Sequence, residues 1–321
     1  MAAITIGIAG ITGKFARRLV AHLQGHDVVI RGYCRDASKF SASPISLPQI
    51  QITQGDAFDS AAVQSFVKGC DVIVCCYLGD DKLMVDGQKM LIDSCEEANV
   101  PRYIASDWAL DYTKLELGQL FPKDPVKHVK AYLDTKKNVK GVHILIGGFM
   151  EPIFSPFFNI WDPVTTTFRY WGEGDEVWEG TTYDNAAEYT AAVALDANAT
   201  GIQRFLGDRA TIQQIAESFE NVYGVKPRLE RLGSLHELYK KMHELRAKYP
   251  TDIFKYMSMF FMYYWINGQT FVGPELDNSK YPDIKPVSWE DFMKTRTVDQ
   301  LPGAFNALAG DFKVGDKRQA S

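Results

Sequence analysis

Residues 7–18 read GIAGITGKFARR, placing Gly7, Gly10 and Gly13 in a G-x-x-G-x-x-G series that starts inside the apolar run AITIGIA and continues past its end. Glycines let a backbone approach a pyrophosphate, and a following helix offers amide donors and a positive dipole end. The chemistry expected is dinucleotide binding, with Gly7, Gly10, Ile11, Thr12, Gly13, Lys14 and Phe15 around the phosphates. Some 20 residues on, a second run ends in GYCRDASKF, where an acidic side chain would take a ribose hydroxyl and a basic one a 2′-phosphate. Arg35, helped by Lys39, favours NADPH (NADP), while the neighbouring Asp36 keeps NAD open. Further along, Asp56 of GDAFD is expected near the adenine, and Cys76, Tyr77 and Leu78 of CCYLGD along the cofactor's path.

A second group of residues could move protons. In KHVKAYLDTKK (127–137), Tyr132 and Lys136 form Y-x-x-x-K, one helical turn apart, and Lys127 opens the same segment. Ser106, Asp107 and Trp108 follow the run RYIAS. Choosing among them requires knowing where each stands in the fold.

Strand-length apolar runs at 3–9, 27–34, 50–55, 71–78, 102–106 and 142–147 alternate with amphipathic stretches whose apolar positions recur at helical spacing. Nearly continuous apolar strands separated by helices predict a doubly wound parallel α/β sheet of the Rossmann type. That NAD(P)-binding domain spans 1–150. A smaller, mostly helical substrate region is expected over 151–305, with part of 178–208 able to rejoin the first domain, and a frayed tail over 306–321. FRYWGEGDEVWEGTT reads as a hairpin, and helices are expected over 184–196, 212–224 and 234–249.

Asp124 and Pro125 look like an N-cap and first helical residue, so a helix should run from there to about Asn138. In such a sheet the ligand crevice lies beyond the carboxyl ends of the strands, beside the start of each following helix. Lys127 falls in the first turn; Lys136 falls roughly 14 Å further along. The positive dipole end also lowers a lysine's pKa. Lys127 is therefore the favoured proton carrier, and Tyr132, bordering the stripe Val126, Val129 and Leu133, reads as packing; the Tyr132–Lys136 pair stays as the alternative. Gly148, Phe149 and Met150 should leave the sixth strand at the crevice, where Gly148 would let the nicotinamide lie close and Phe149 would wall it. With Trp108 and Phe154, and the aromatics and methionines of 157–161 and 257–262, they could line an apolar pocket for a flat substrate.

Composition narrows the partners. The 321 residues are 46% hydrophobic and carry a net charge of −5 with no basic block, which leaves no electrostatic footprint for nucleic acid. The five cysteines are odd in number, lack a C-x-x-C pair and read as buried, reduced thiols, and the histidines show no H-x-x-x-H pattern, so no metal is expected. No basic stretch precedes the first apolar run, so the expected compartment is the cytoplasm. The most membrane-like segment, 254–268, falls short of the roughly 20 apolar residues a spanning helix needs.

With GIAGITG, CRDASK, GDAFD, RYIASDW, the helix at DPVKHVK and GGFMEP in order, residues 4–300 resemble the NmrA-like and isoflavone-reductase-like atypical short-chain dehydrogenases. The resemblance implies NADPH as cofactor and reduction of a small aromatic or polyketide-like metabolite of secondary metabolism, by a monomer or homodimer. It also implies that Ser106 and Lys127 serve both catalysis and cofactor binding. Ala109 stands where the family usually has glycine. The Y-x-x-x-K of Tyr132 and Lys136 is the spacing of the catalytic pair in other short-chain dehydrogenases. The second possibility is a non-catalytic NAD(P) sensor of the NmrA type that binds a protein partner.

Overall fold

The computed structural model describes residues 3–41 and 50–304. In chain order, β1 (Ile4–Ala9), α1 (Lys14–Leu23), β2 (Val28–Cys34), the short α2 (Ser38–Ser41), β3 (Ile50–Gln54), α3 (Ser60–Val67) and β4 (Val72–Cys75) lead into a π-helical turn and α4 (Gln88–Glu97). Then come β5 (Arg102–Ile104), α5 (Asp124–Leu133) and β6 (Lys140–Leu145), followed by β7 (Gly148–Phe149), β8 (Trp161–Asp162), β9 (Thr167–Trp171) and β10 (Val177–Thr181). The chain closes with α6 (Tyr183–Leu195), β11 (Gly201–Arg204), β12 (Asp208–Thr211), α7 (Ile212–Tyr223), β13 (Arg228–Gly233), α8 (Leu235–Lys248), α9 (Met257–Ile266) and α10 (Trp289–Lys294).

Seven strands form one parallel sheet in the order β3-β2-β1-β4-β5-β6-β11. Strand side chains alternate faces, and here both faces are apolar. Val72 and Val74 point into the core under α1 and α6, while Ile73 and Cys75 point into the core under α3, α4 and α5. The strand order reverses between β1 and β4, so a crevice opens at their carboxyl ends. Residues 183–204 contribute α6, which packs on α1, and β11, which extends the sheet beyond β6.

The remaining core is built from aromatics of the segment after β7 together with α7, α8, α9 and α10. Two small sheets, β12-β10-β7 and β13-β9-β8, frame it. The expected hairpin over 168–182 is not formed. β9 pairs with β13 and β8, whereas β10 pairs with β12 and β7. Gly172 and Gly174 take φ of 96° and 93°, and the Glu176 carboxylate collects the amides of Glu173 and Gly174, so the chain turns away from a two-residue hairpin geometry. Residues 306–321 lie outside the described residues. Among the described residues, no helix is long and apolar enough to cross a membrane, and no cluster of three His, Cys, Asp or Glu could hold a metal.

Candidate active site

The loop after β1 is built as an anion cradle. Gly10 sits at φ +77°, its amide donates to the Tyr33 carbonyl at 2.8 Å, and a β-carbon there would come within 2.9 Å of the Cys76 carbonyl oxygen. Gly13 N–H donates to Gly10 O at 2.9 Å, closing the turn directly before α1. α1 has no side-chain cap and no acidic residue in its first turn, the arrangement an anion completes. Lys14 opens the helix, and burial pushes its ammonium down to about 8. Gly7 does something else: it lies inside β1, and a side chain there would run into Ile73 beneath the sheet. Its role is close packing under α3, away from any phosphate.

Arg35 and Lys39 are exposed at the end of β2. Asp36 is occupied, since its carboxylate accepts from Ser38 N–H at 3.0 Å and from Ser38 Oγ at 2.6 Å, bonds that hold it below the ordinary carboxylate value. A carboxylate folded into its own turn is poorly placed for a ribose, whereas Arg35 beside it is exposed. Arg17, not among the sequence candidates, spans the gap: Nε donates to Thr12 O at 3.1 Å and Nη2 to Lys39 O at 3.0 Å, tying the two loops together. Asp56 accepts Tyr33 OH on its carbonyl at 2.6 Å. Cys76 presents its carbonyl to Gly10, Tyr77 is buried, and Leu78 is exposed at the rim. The five cysteines are unpaired; burial raises the Cys75, Cys76 and Cys95 thiols well out of the reactive range.

Beyond β5 the chain leaves the sheet over Ser106–Trp108 and returns at Ala109, whose carbonyl accepts Ile146 N–H at 2.9 Å. The positive φ of the bulge, +26°, falls on Trp108, and Ala109 is in an ordinary strand contact, so no glycine is needed there. Ser106 Oγ donates to the Tyr77 carbonyl at 2.7 Å, binding the ends of β4 and β5. The lysine that reaches this turn is Lys123. Its Nζ donates to the Asp107 carbonyl at 3.4 Å, and burial lowers its pKa while Asp107 pulls it back up.

Lys127 goes elsewhere. Its ammonium donates to the Leu115 carbonyl, and it lines an open groove of about 280 Å³ with Tyr112, Thr113, Leu115, Lys130, Ala131 and Asp134. The helix begins as expected, but Lys123 rather than Asp124 is the residue before it, and the Asp124 carboxylate accepts from Gly118 N–H at 2.9 and 3.1 Å. One turn therefore separates the lysine that reaches the Asp107 carbonyl from the one selected by its place in the first turn. Tyr132 OH near the end of α5 and Lys136 Nζ just beyond it both donate to Asp93 Oδ1, at 2.7 and 2.5 Å. That shared carboxylate gives the Y-x-x-x-K a structural explanation. α5 stops at Leu133, short of Asn138, because the Glu96 carboxylate takes the amides of Lys137, Asn138 and Val139.

Four aromatic rings form a wall across the crevice. Phe15 lies 4.0 Å from Trp108 and 6.4 Å from Phe149, and Phe149 stacks on Tyr183 at 3.7 Å and 12°. Trp108 Nε1 donates to Thr190 Oγ1 at 2.9 Å. Tyr183 is not among the sequence candidates; it opens α6, within the stretch 178–208 expected to be able to rejoin the first domain. Gly148 admits the Trp265 ring, which a side chain at 148 would strike. Met150 and Phe154, expected at the substrate, are instead sealed core: both are at most 1% exposed, and Phe154 stacks on Phe292. Glu151 between them is also buried; its carboxylate accepts Tyr183 N–H at 3.0 and 3.2 Å, and burial raises its pKa to about 7.

A glycine cradle after β1, a basic rim after β2 and a crevice at the strand reversal define a dinucleotide-binding protein. Residues 10–142 match the family described as NAD(P)H-binding, so this part of the chain is an NAD(P)H-binding domain. No curated relative matches the chain at the sequence level. Its structure is similar to that of isoflavone reductase (16% identity, TM-score 0.73, covering 91% of this chain and 99% of that one). It is also similar to AtPrR2 with NADP+ and (+)pinoresinol (16%, 0.72, 91% and 98%). A third likeness is to the NADPH-dependent quinone oxidoreductase of Escherichia coli complexed with NADPH (17%, 0.70, 92% and 99%). The fold is that of isoflavone reductase and of the NADPH-dependent quinone oxidoreductase.

Proposed function

We propose that the protein is an NADPH-dependent reductase of a small aromatic or polyketide-like molecule. The observation that supports this best is the half-buried ammonium of Lys123 at the Asp107 carbonyl, beside Ser106 and the aromatic wall at the carboxyl edge of the sheet. When bound, the nicotinamide supplies the hydride. Arg35 and Lys39 hold the 2′-phosphate, and the loop Gly10–Phe15 holds the pyrophosphate. Phe149, Trp108 and Phe15 take a planar acceptor edge-on or stacked, and residues 151–305 close around it. Lys123 stabilises and protonates the oxyanion or carbanion that the hydride creates, and burial keeps its proton easier to give up than that of an exposed lysine. Similar structures support the class: one contains NADP+ with (+)pinoresinol, another is a quinone oxidoreductase with NADPH.

One observation favours the second reading, a cofactor sensor: the Phe15 and Trp108 rings touch across the crevice, so a substrate must part them. Incubation with NADPH and a panel of quinones, enones, aromatic ketones and phenolic ethers, followed by loss of nicotinamide absorbance, decides. Lys123→Met should lose roughly 100-fold or more in turnover, while Lys127→Met and Tyr132→Phe stay near the wild-type rate. Loss in Tyr132→Phe with full activity in Lys123→Met refutes the assignment. Silence across the panel, with equal affinities for NADPH and NADP+, makes the protein a sensor.

A further inference from the structure

Directly beneath the β5 bulge lies a buried polar cluster that cofactor binding does not require. Asp107 Oδ2 accepts from His143 Nδ1 at 2.6 Å and from Tyr112 OH at 2.9 Å, and all three residues are at most 3% exposed. With a carboxylate opposite it, Nδ1 carries a proton and donates. Nε2 of His143 and Oδ1 of Asp107 have no hydrogen-bond partner among the described residues. Such a cluster does not serve stability well: a buried charge with unpaired atoms is costly, and apolar residues of similar volume are often neutral or better. Val126, Leu145 and Leu206 around it show that the site could have been filled that way.

What the cluster does achieve is geometric. It joins three separate elements, the turn after β5, the 3-10 turn Tyr112–Lys114 and the middle of β6. Asp107 is flanked by Ser106, whose hydroxyl is tied to β4, and by Trp108, whose φ of +26° is one that side-chain-bearing residues hold only where their surroundings over-determine it. The carbonyl of Asp107 is the acceptor of Lys123 Nζ. A shift of the Asp107 side chain would thus move the acceptor that aims the lysine.

We propose that Asp107, Tyr112 and His143 form a positioning device that fixes the Ser106–Trp108 turn and, through the Asp107 carbonyl, aims the Lys123 ammonium into the crevice. The inference rests on the reading of Lys123 as proton source. The charged group that acts on Lys123 is Asp107 from the β5 turn; Asp124 follows it in the chain, and the guanidinium of Arg246 of α8 lies 4.9 Å from the ring of Phe121, two residues before it.

The test needs no substrate. Trace acetylation of the full chain with acetic anhydride across pH, resolved peptide by peptide by mass spectrometry, yields the titration midpoint of each lysine. Lys123 should titrate below the exposed Lys240. In His143→Gln and Tyr112→Phe its midpoint should rise by roughly half a unit or more towards that of Lys240 as the amine swings to solvent, while Lys130 and Lys240 stay put. If His143→Gln does not fold, Tyr112→Phe, which removes one hydroxyl and keeps the ring, decides alone. An unmoved Lys123 midpoint in a folded variant overturns the device. Should Lys123→Met keep full turnover while the midpoints move as expected, the proton-source reading falls and the positioning contact stands.

Discussion

Replacing Gly10 by alanine tests the cradle with a magnitude the geometry supplies. At φ +77° an alanine costs about 1–2 kcal/mol in backbone energy alone. The new β-carbon would also lie 2.9 Å from the Cys76 carbonyl oxygen and 3.2 Å from its carbon. Cys76 cannot easily retreat, because its own amide is bonded to Ala9 O at 2.8 Å beside the loop. Overpacking against fixed structure adds about 1–3 kcal/mol, so Gly10→Ala should lose about 2–5 kcal/mol in all. Gly118→Ala is the control: φ is +83°, nothing lies within 4 Å of its β-carbon, and only the backbone cost of about 1–2 kcal/mol applies. Urea unfolding of both variants, with NADPH affinity by titration, measures the difference. Equal losses in the two variants would show that the loop is not packed against β4, and would refute the cradle as a rigid phosphate site.

Two further outcomes follow from single side chains. Arg35→Ala should cut the preference for NADPH over NADH by roughly 10- to 100-fold, because a charge-assisted phosphate contact contributes about 1.5–3 kcal/mol; an unchanged ratio of dissociation constants rules the contact out. Glu151 has a folded pKa of about 7 against an ordinary 4.5, so the folded state holds its proton longer than the unfolded chain; its contribution is fully present below pH 4.5 and is lost as pH rises through 7, by on the order of 3 kcal/mol. Wild type minus Glu151→Gln stability, measured by urea unfolding between pH 4.5 and 8, should fall by that amount, and a flat difference contradicts it.

Much of the sheet was legible because its information is local. Each buried strand is a continuous apolar run, each helix has its own stripe, and Gly10 and Gly13 sit where the strand must turn into α1. The pairing of β9 with β13 was not, since it joins segments about 60 residues apart and leaves no mark in either. Met150 and Phe154 misled for a related reason: an apolar side chain beside a crevice and one in the core look identical in sequence. Only the packing of Met150 against Gly180 and of Phe154 against Phe292 separates them.

The lysines show where spacing stops being informative. Lys123, Lys127 and Lys136 share one polar-rich segment, and a dipole argument selects whichever stands in the first turn. The choice among them is made by acceptors that come from other elements: Asp107 from the β5 bulge, Leu115 from the loop before the helix, and Asp93 from α4. Asp107 is itself held by a contact distant in sequence, His143, 36 residues away. The proposed proton donor is therefore defined by what holds the carbonyl in front of it. The Asp-His-Tyr cluster under that carbonyl is as much a part of the candidate site as the lysine.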